Sequence, residues 1–234
     1  MIKEEFEKFK NHKSVKRWSV DVFDKTKWST GSWFTLQRTL RKSKEHKENG
    51  KLYEKLREDC KKYIFDEIFN FFPEEIDEID LWYKKIITRE YGLSYLSIGH
   101  RQKIVNILVK YFLTYFHTTK DTDLEFCKRF DRNISHIHIP LDQYVLRNLY
   151  EKEEYRKEFK DIEIIKIGKK PPCDPNEGKR KDCPGYKFLV KGEKISWSRI
   201  NNYDIYFYVQ KIIRKLSEIE KMSPIEFEMK KLWS

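Results

Sequence analysis

YGLSYLSIGHRQKIVNILVKYFLTYF, residues 91–116, is the stretch that decides the fold. In its second half Ile104, Ile107, Leu108, Tyr111, Phe112, Tyr115 and Phe116 recur at i, i+3, i+4, i+7 and i+8. One face of an α-helix repeats with that period, whereas a strand alternates every two residues. So wide an apolar stripe predicts a core helix, with its rings serving packing rather than stacking on a ligand. LSIGHRQ lies just before it, and Gly99 is the expected turn residue.

Working outward, MIKEEFEKFK reads as a short charged helix, followed by the aromatic and turn-rich WSVDVFDKTKWSTGSWF (18–34). Residues 35–70 read as helix with a break near Gly50, and Leu52, Leu56, Ile64, Ile68 and Phe72 keep helical spacing. A further short helix is expected over 76–88 and an acidic one around 121–131. ISHIHIP (134–140) reads as extended, and Pro140 both biases its neighbour away from helix and suits the start of the next one. That next helix, LDQYVLRNLYEKEEYRKEF (141–159), carries Val145, Leu146 and Leu149 on one face. IEIIKI (162–167) and YKFLV (186–190) look like strands joined by the Pro- and Gly-rich KKPPCDPNEGKRKDCPG, which predicts a small β-hairpin over 162–190. NNYDIYFYVQKIIRKLSEIEKM (201–222) closes the chain as an amphipathic helix through Ile205, Tyr208, Val209, Ile212 and Leu216. The expected architecture is mainly α: one compact unit over 1–234 with two helical lobes and a β-hairpin insertion.

Composition narrows the partners. The 234 residues include 39% hydrophobic and 15% aromatic side chains, enough for a packed core. Forty-nine Lys and Arg against 38 Asp and Glu give a net charge of +11 and a pI near 9.2. Such an excess attracts phosphates and points to nucleic acid as the partner, a solvated Lys-rich surface being the alternative. No run of 18 apolar residues crosses a membrane, and the first ten residues lack an apolar signal core, so a cytoplasmic monomer is expected. Cys60, Cys127, Cys173 and Cys183 are scattered rather than set in a disulfide framework.

The residues with chemistry cluster in two places. GHRQK (99–103) opens the core helix with a lysine, and HIPLDQYVLRNL (138–149) places Asp142 at a helix start after a proline. Taken together these resemble the helix-hairpin-helix DNA glycosylases, and within them most nearly the archaeal 8-oxoguanine glycosylases. Gly99 matches a hairpin glycine and Lys103 the lysine that ends the hairpin. Leu141, Asp142, Val145 and Arg147 match the segment around the essential carboxylate, and Lys110 matches a second lysine seven residues on. The chain departs from the pattern where Arg101 replaces the second glycine, where the proline before the hairpin is missing, and in the 39-residue separation of Lys103 and Asp142. The four-cysteine cluster of some members is absent from the sequence.

The resemblance implies a glycosylase, with or without linked lyase activity, that removes an oxidised or modified base from duplex DNA in base-excision repair without a cofactor. Lys103 is the expected nucleophile, with Lys110 as the rival, and Asp142 the electrostatic partner. A helix N-terminus lowers a lysine pKa through its dipole, while capping amides keep an aspartate ionised. Gly99, Arg101 and Gln102 are expected to hold a phosphate, and Trp18, Trp28, Trp33 and Trp197 to supply the base pocket. The basic stretches KRW (16–18) and RTLRKSK (38–44) would grip the duplex. The alternatives are a non-catalytic nucleic-acid-binding protein that keeps the hairpin, or a defence-associated interaction factor. His136 and His138 alternate on the extended run and with Asp142 could approach a metal, but no further ligand is spaced to complete the set. Cys173 and Cys183, with nine loop residues between them, read as a reduced pair rather than a zinc site.

Overall fold

The computed structural model describes residues 2–11, 50–92, 96–118, 125–159, 163–167, 187–191, 194–195, 197 and 200–232. Trp18, Trp28, Trp33, both basic stretches, Cys173 and Cys183 lie outside the described residues. What is described is mainly helical. Helix α1 (Ile2–Asn11) is followed by α2 (Gly50–Phe71), then by α3 (Ile79–Thr88), which a 3₁₀ turn at Ile76–Glu78 introduces. The stripe at 104–116 is the body of α4 (Ile98–Thr118). Shorter helices α5 (Glu125–Arg132), α6 (Gln143–Glu151) and α7 (Glu153–Arg156) follow.

Helix α4 is the hub. Its apolar residues are buried beyond the expected stripe, because Val105, Val109 and Leu113 are fully enclosed as well. A helix buried all round sits in the middle of a core, and the others pack about it. Among them α1 is short enough to be marginal alone. It docks through Phe6 and Phe9, one stacked on His117 at 4.8 Å and the other tilted against Tyr111 at 6.1 Å. Burying each phenyl contributes about 1.5–3 kcal/mol. Helix α3 buries Ile79, Trp82, Tyr83, Ile86 and Ile87, a full i, i+3, i+4, i+7, i+8 set. Helix α2 contributes Cys60, Ile64 and Ile68, and Phe72 beyond its end packs on Trp82 and Phe130.

The link from α3 to α4 differs from the expected hairpin. Gly99 lies inside the first turn of α4, and among the described glycines the one with positive φ is Gly92, at +67°. A Cβ at Gly92 would also meet Leu56 Cδ2 at 3.2 Å, so both backbone and space favour glycine there.

The strands differ too. β1 (Glu163–Ile167) and β2 (Lys187–Lys191) pair in parallel, Glu163 opposite Lys187, rather than as a hairpin. Parallel neighbours need a crossover of a dozen or more residues, and the long Pro-rich connection supplies that length. The antiparallel pairing is between β2 and β3 (Lys194–Ile195), with Val190 opposite Ile195.

Beyond β3 the chain forms α8 (Tyr203–Ile219), started by the Asn202 side chain, which accepts from the Asp204 amide at 2.7 Å. Helix α9 (Pro224–Phe227) passes into a π-helical turn at Glu228–Leu232. Ser223, Pro224 and Glu226 form a capping box with proline in the first turn, a start signal present in the sequence. Among the described residues no helix is long and apolar enough to cross a membrane.

Candidate active site

Four consecutive residues of α4, His100 to Lys103, are spread around the helix and tie it to its surroundings. Ser97 caps the helix: its hydroxyl accepts from the His100 amide at 3.2 Å, and the Ser97 amide donates to His100 Nδ1 at the same distance. Histidine thus takes the third position of a capping box, where glutamate is usual. Arg101 turns back toward α3. Its Nε donates to the Leu96 carbonyl at 3.0 Å, and its Nη1 to the carbonyls of Thr88 and Arg89 at 2.9 and 2.7 Å. The guanidinium therefore closes the C-terminal end of α3, whose last carbonyls have no partner within the helix.

Gln102 fixes the extended segment. Its Nε2 donates to the Leu141 carbonyl at 2.8 Å, and its Oε1 accepts from the Leu141 amide at 3.0 Å. Gln210 on α8 treats Ile139 in the same manner, at 2.8 and 3.0 Å. Alternate residues of the segment are thus read by one amide side chain each, and Pro140 between them has no N–H to satisfy. Asp142 follows at once. It caps α6 by accepting from the Tyr144 and Val145 amides at 2.9 and 3.0 Å.

This scaffold brings Asp142 opposite Lys103. Lys103 Nζ lies 3.8 Å from Asp142 Oδ2, an ion pair longer than a hydrogen bond, with the two side chains 14% and 16% exposed. The Nζ also sits 4.4 Å from the centre of the Trp197 ring. Burial lowers the Lys103 pKa, against the opposing pull of Asp142. The helix dipole was the expected cause, but α4 begins at Ile98, which leaves Lys103 in its second turn, where the dipole has largely faded. Desolvation does the work instead. Trp197 is anchored nearby: its carbonyl accepts from the Ile200 amide at 3.2 Å, and the Ile200 carbonyl accepts from the Gly99 amide at 2.7 Å. The His100 ring meets Trp197 edge to face at 5.5 Å.

No protein-family model, curated protein or solved structure matches this chain. The site stands on its own geometry.

That geometry corrects three expectations. Gly99, Arg101 and Gln102 do not present a phosphate cradle, because the Gly99, His100 and Arg101 amides already donate within the protein. The Arg101 and Gln102 side chains are taken up by backbone carbonyls, and Gln102 is fully buried. Lys110 is committed to another partner. It is 1% exposed and paired with Glu228 Oε2 at 2.5 Å, its Nζ 4.2 Å from the Phe9 ring centre. Burial raises the Glu228 pKa and Lys110 counters it. Nor do His136 and His138 share a face, since residues 134–136 form a 3₁₀ turn. His138 is enclosed instead: Tyr206 donates its hydroxyl to Nδ1 at 2.7 Å, and Nε2 donates to Asp80 at 3.1 Å. Among the described residues no cluster of three His, Cys, Asp or Glu could hold a metal.

His138 belongs to a buried chain that supports the site from below. Asn106 donates to the Tyr206 hydroxyl at 3.1 Å and to the Ile139 carbonyl at 2.9 Å, while Arg214 clasps Asp80 through both nitrogens. Burial pushes the Asp80 pKa upward, but His138 and Arg214 outweigh it and hold the carboxyl well below its usual range. Burial takes His138 down to about 4. Because that value is below the unfolded one, the unfolded chain binds more protons between about pH 6.5 and 4. Stability is therefore full above about pH 6.5 and declines toward pH 4, by about 3 kcal/mol from this residue. Urea midpoints at about pH 7.5, 6 and 4.5 check this, with His138→Gln expected to flatten the slope. An equally steep slope in that variant would locate the titrating group elsewhere.

Proposed function

We propose that this chain is a helix-hairpin-helix-type DNA glycosylase with linked lyase activity, acting on an oxidised or otherwise modified base such as 8-oxoguanine. The observation that carries the reading is a largely buried lysine amine, 3.8 Å from a carboxylate and facing an indole ring. A lysine with a depressed pKa is the form of this side chain able to attack carbon. Lys103 Nζ would attack C1′ of the nucleotide while the C1′–N bond breaks and the base leaves with the bonding pair, taking up a proton. The sugar ring then opens, its O4′ is protonated, and C1′ and Nζ share a Schiff base. Asp142, whose carboxylate accepts from two backbone amides, would face the positive charge that develops on the sugar. Trp197 offers a ring to the flipped base, and Tyr144, 66% exposed beside Asp142, offers another to the DNA. The net charge of +11 would supply salt-sensitive attraction to duplex DNA for a monomer working in the cytoplasm.

The experiment is borohydride trapping on duplexes carrying 8-oxoguanine, uracil or an abasic site. A covalent adduct is expected with the wild-type protein and is lost in Lys103→Gln but retained on abasic DNA in Asp142→Asn. Adducts that survive Lys103→Gln would overturn the assignment of the nucleophile. The closed amides at the start of α4 favour a second reading, a binding module without chemistry. Steeply salt-dependent duplex binding, with neither adduct nor released base, would establish that one instead.

A further inference from the structure

Lys103 has two described neighbours at its Nζ, a carboxylate oxygen at 3.8 Å and the Trp197 face at 4.4 Å. Neither gives a close hydrogen bond, and both favour the ammonium over the amine. The indole acts through its quadrupole, an attraction that strengthens as water is excluded. Its position is built. The Trp197 carbonyl accepts from the Ile200 amide, the Ile200 carbonyl accepts from the Gly99 amide one helical turn before Lys103, and His100 braces the ring from the side. His100 is itself fixed by Ser97, and its Nε2 is buried with no hydrogen-bond partner among the described residues. A neutral imidazole stands there, since burial takes its pKa down to about 4, and it adds no charge beside the lysine at neutral pH.

We propose that Trp197 is a positioning residue that holds Lys103 as its ammonium in the free protein, and that a base stacking on the same indole face releases the lysine as a dry amine. One ring face serves either a cation or a stacked base. When the base takes it, the ammonium loses its partner, its proton passes to water at the exposed edge of the side chain, and the nucleophile is armed only with ligand present. Asp142 and the ring hold the ammonium together, and of the two only the ring face can be taken by a base. Asp142 faces Lys103 through Oδ2 while its Oδ1 accepts from two backbone amides; Arg101 points into α3; and Glu228, from the π-helical turn, is bound to Lys110. Only the purpose of this device rests on the glycosylase reading. The effect of the ring on the amine does not.

Trace acetylation with limiting acetic anhydride, from about pH 6 to about pH 11, reads the titration of each lysine by peptide mass mapping. In Trp197→Leu the Lys103 midpoint is expected to move down by about one pH unit, and in Trp197→Phe by less, since a phenyl face keeps part of the attraction. Exposed Lys85 stays unchanged as the internal reference. A midpoint that stays put or rises in the folded Phe variant overturns the proposal, whatever becomes of the Leu variant. Trapping on abasic duplex is run beside it. Wild-type protein that forms no adduct would remove the nucleophile reading yet leave the midpoint shift standing. A protein that forms adducts with an unmoved midpoint would remove Trp197 alone.

Discussion

Lys110→Met is expected to destabilise the protein by about 3–5 kcal/mol, while the double variant Lys110→Met/Glu228→Leu recovers most of that loss. Both partners are 1% exposed and meet at 2.5 Å, so either one alone is a charge without water. Two apolar side chains of similar volume remove the desolvation penalty together with the pairing, which is why the double change is mild. The loss is a large share of the roughly 5–15 kcal/mol that holds a domain folded. It should also depend on pH. With Lys110 gone, Glu228 escapes the uncompensated charge by taking up a proton, so Lys110→Met is worst at high pH and eases as pH falls toward the raised Glu228 pKa. Urea unfolding of the single and double variants at two pH values decides it. A double variant no more stable than the single would mean that packing, not charge, ties α4 to the π-helical turn.

The second large effect belongs to Asp142, and one pair of substitutions separates its two roles. Asparagine caps a helix about as well as aspartate, so Asp142→Asn should leave stability within about 1 kcal/mol of the wild type. It removes the negative charge facing Lys103, and loss of one such electrostatic partner lowers rates about 10²–10³-fold. Asp142→Ala loses the cap as well and falls further in stability, by about 1 kcal/mol. Base release in single turnover, read beside thermal melting, gives both numbers. Equal rates for wild type and Asp142→Asn would confine this residue to capping.

Much of this frame is legible in the chain. The stripe from Ile104 to Phe116 marks the hub helix because a buried helix repeats its apolar residues in that period, and Asp142 after a proline marks a cap. The site is less legible, for a physical reason. Gln102, Asn106 and Gln210 interrupt apolar faces and look like blemishes in the pattern, yet buried amides must find partners, and these find the backbone of 139–141. Glu228 lies 118 residues from Lys110, beyond the reach of any local period. The S-P-x-E start at Ser223 was there to be found and marks the helix that delivers it. Gly99 misleads because a glycine before a helix suggests a turn, whereas the turn conformation belongs to Gly92 and Gly99 supplies an amide to Ile200. Arg101 misleads likewise, since a guanidinium suits backbone carbonyls as well as phosphates.

The turn of α4 that holds His100, Arg101, Gln102 and Lys103 has a consequence for how such a sequence can drift. Arg101 and Gln102 are oriented by the helix toward α3 and Leu141, while His100 and Lys103, three residues apart, both meet Trp197. Loss or gain of a single residue between Ser97 and Lys103 turns everything on one side by about 100° relative to the other. The cap, the clamp on α3, the grip on Leu141 and the amine facing Asp142 could not all survive that rotation. Spacing within this turn is therefore a tighter constraint on descent than the identity of any one residue outside the ion pair.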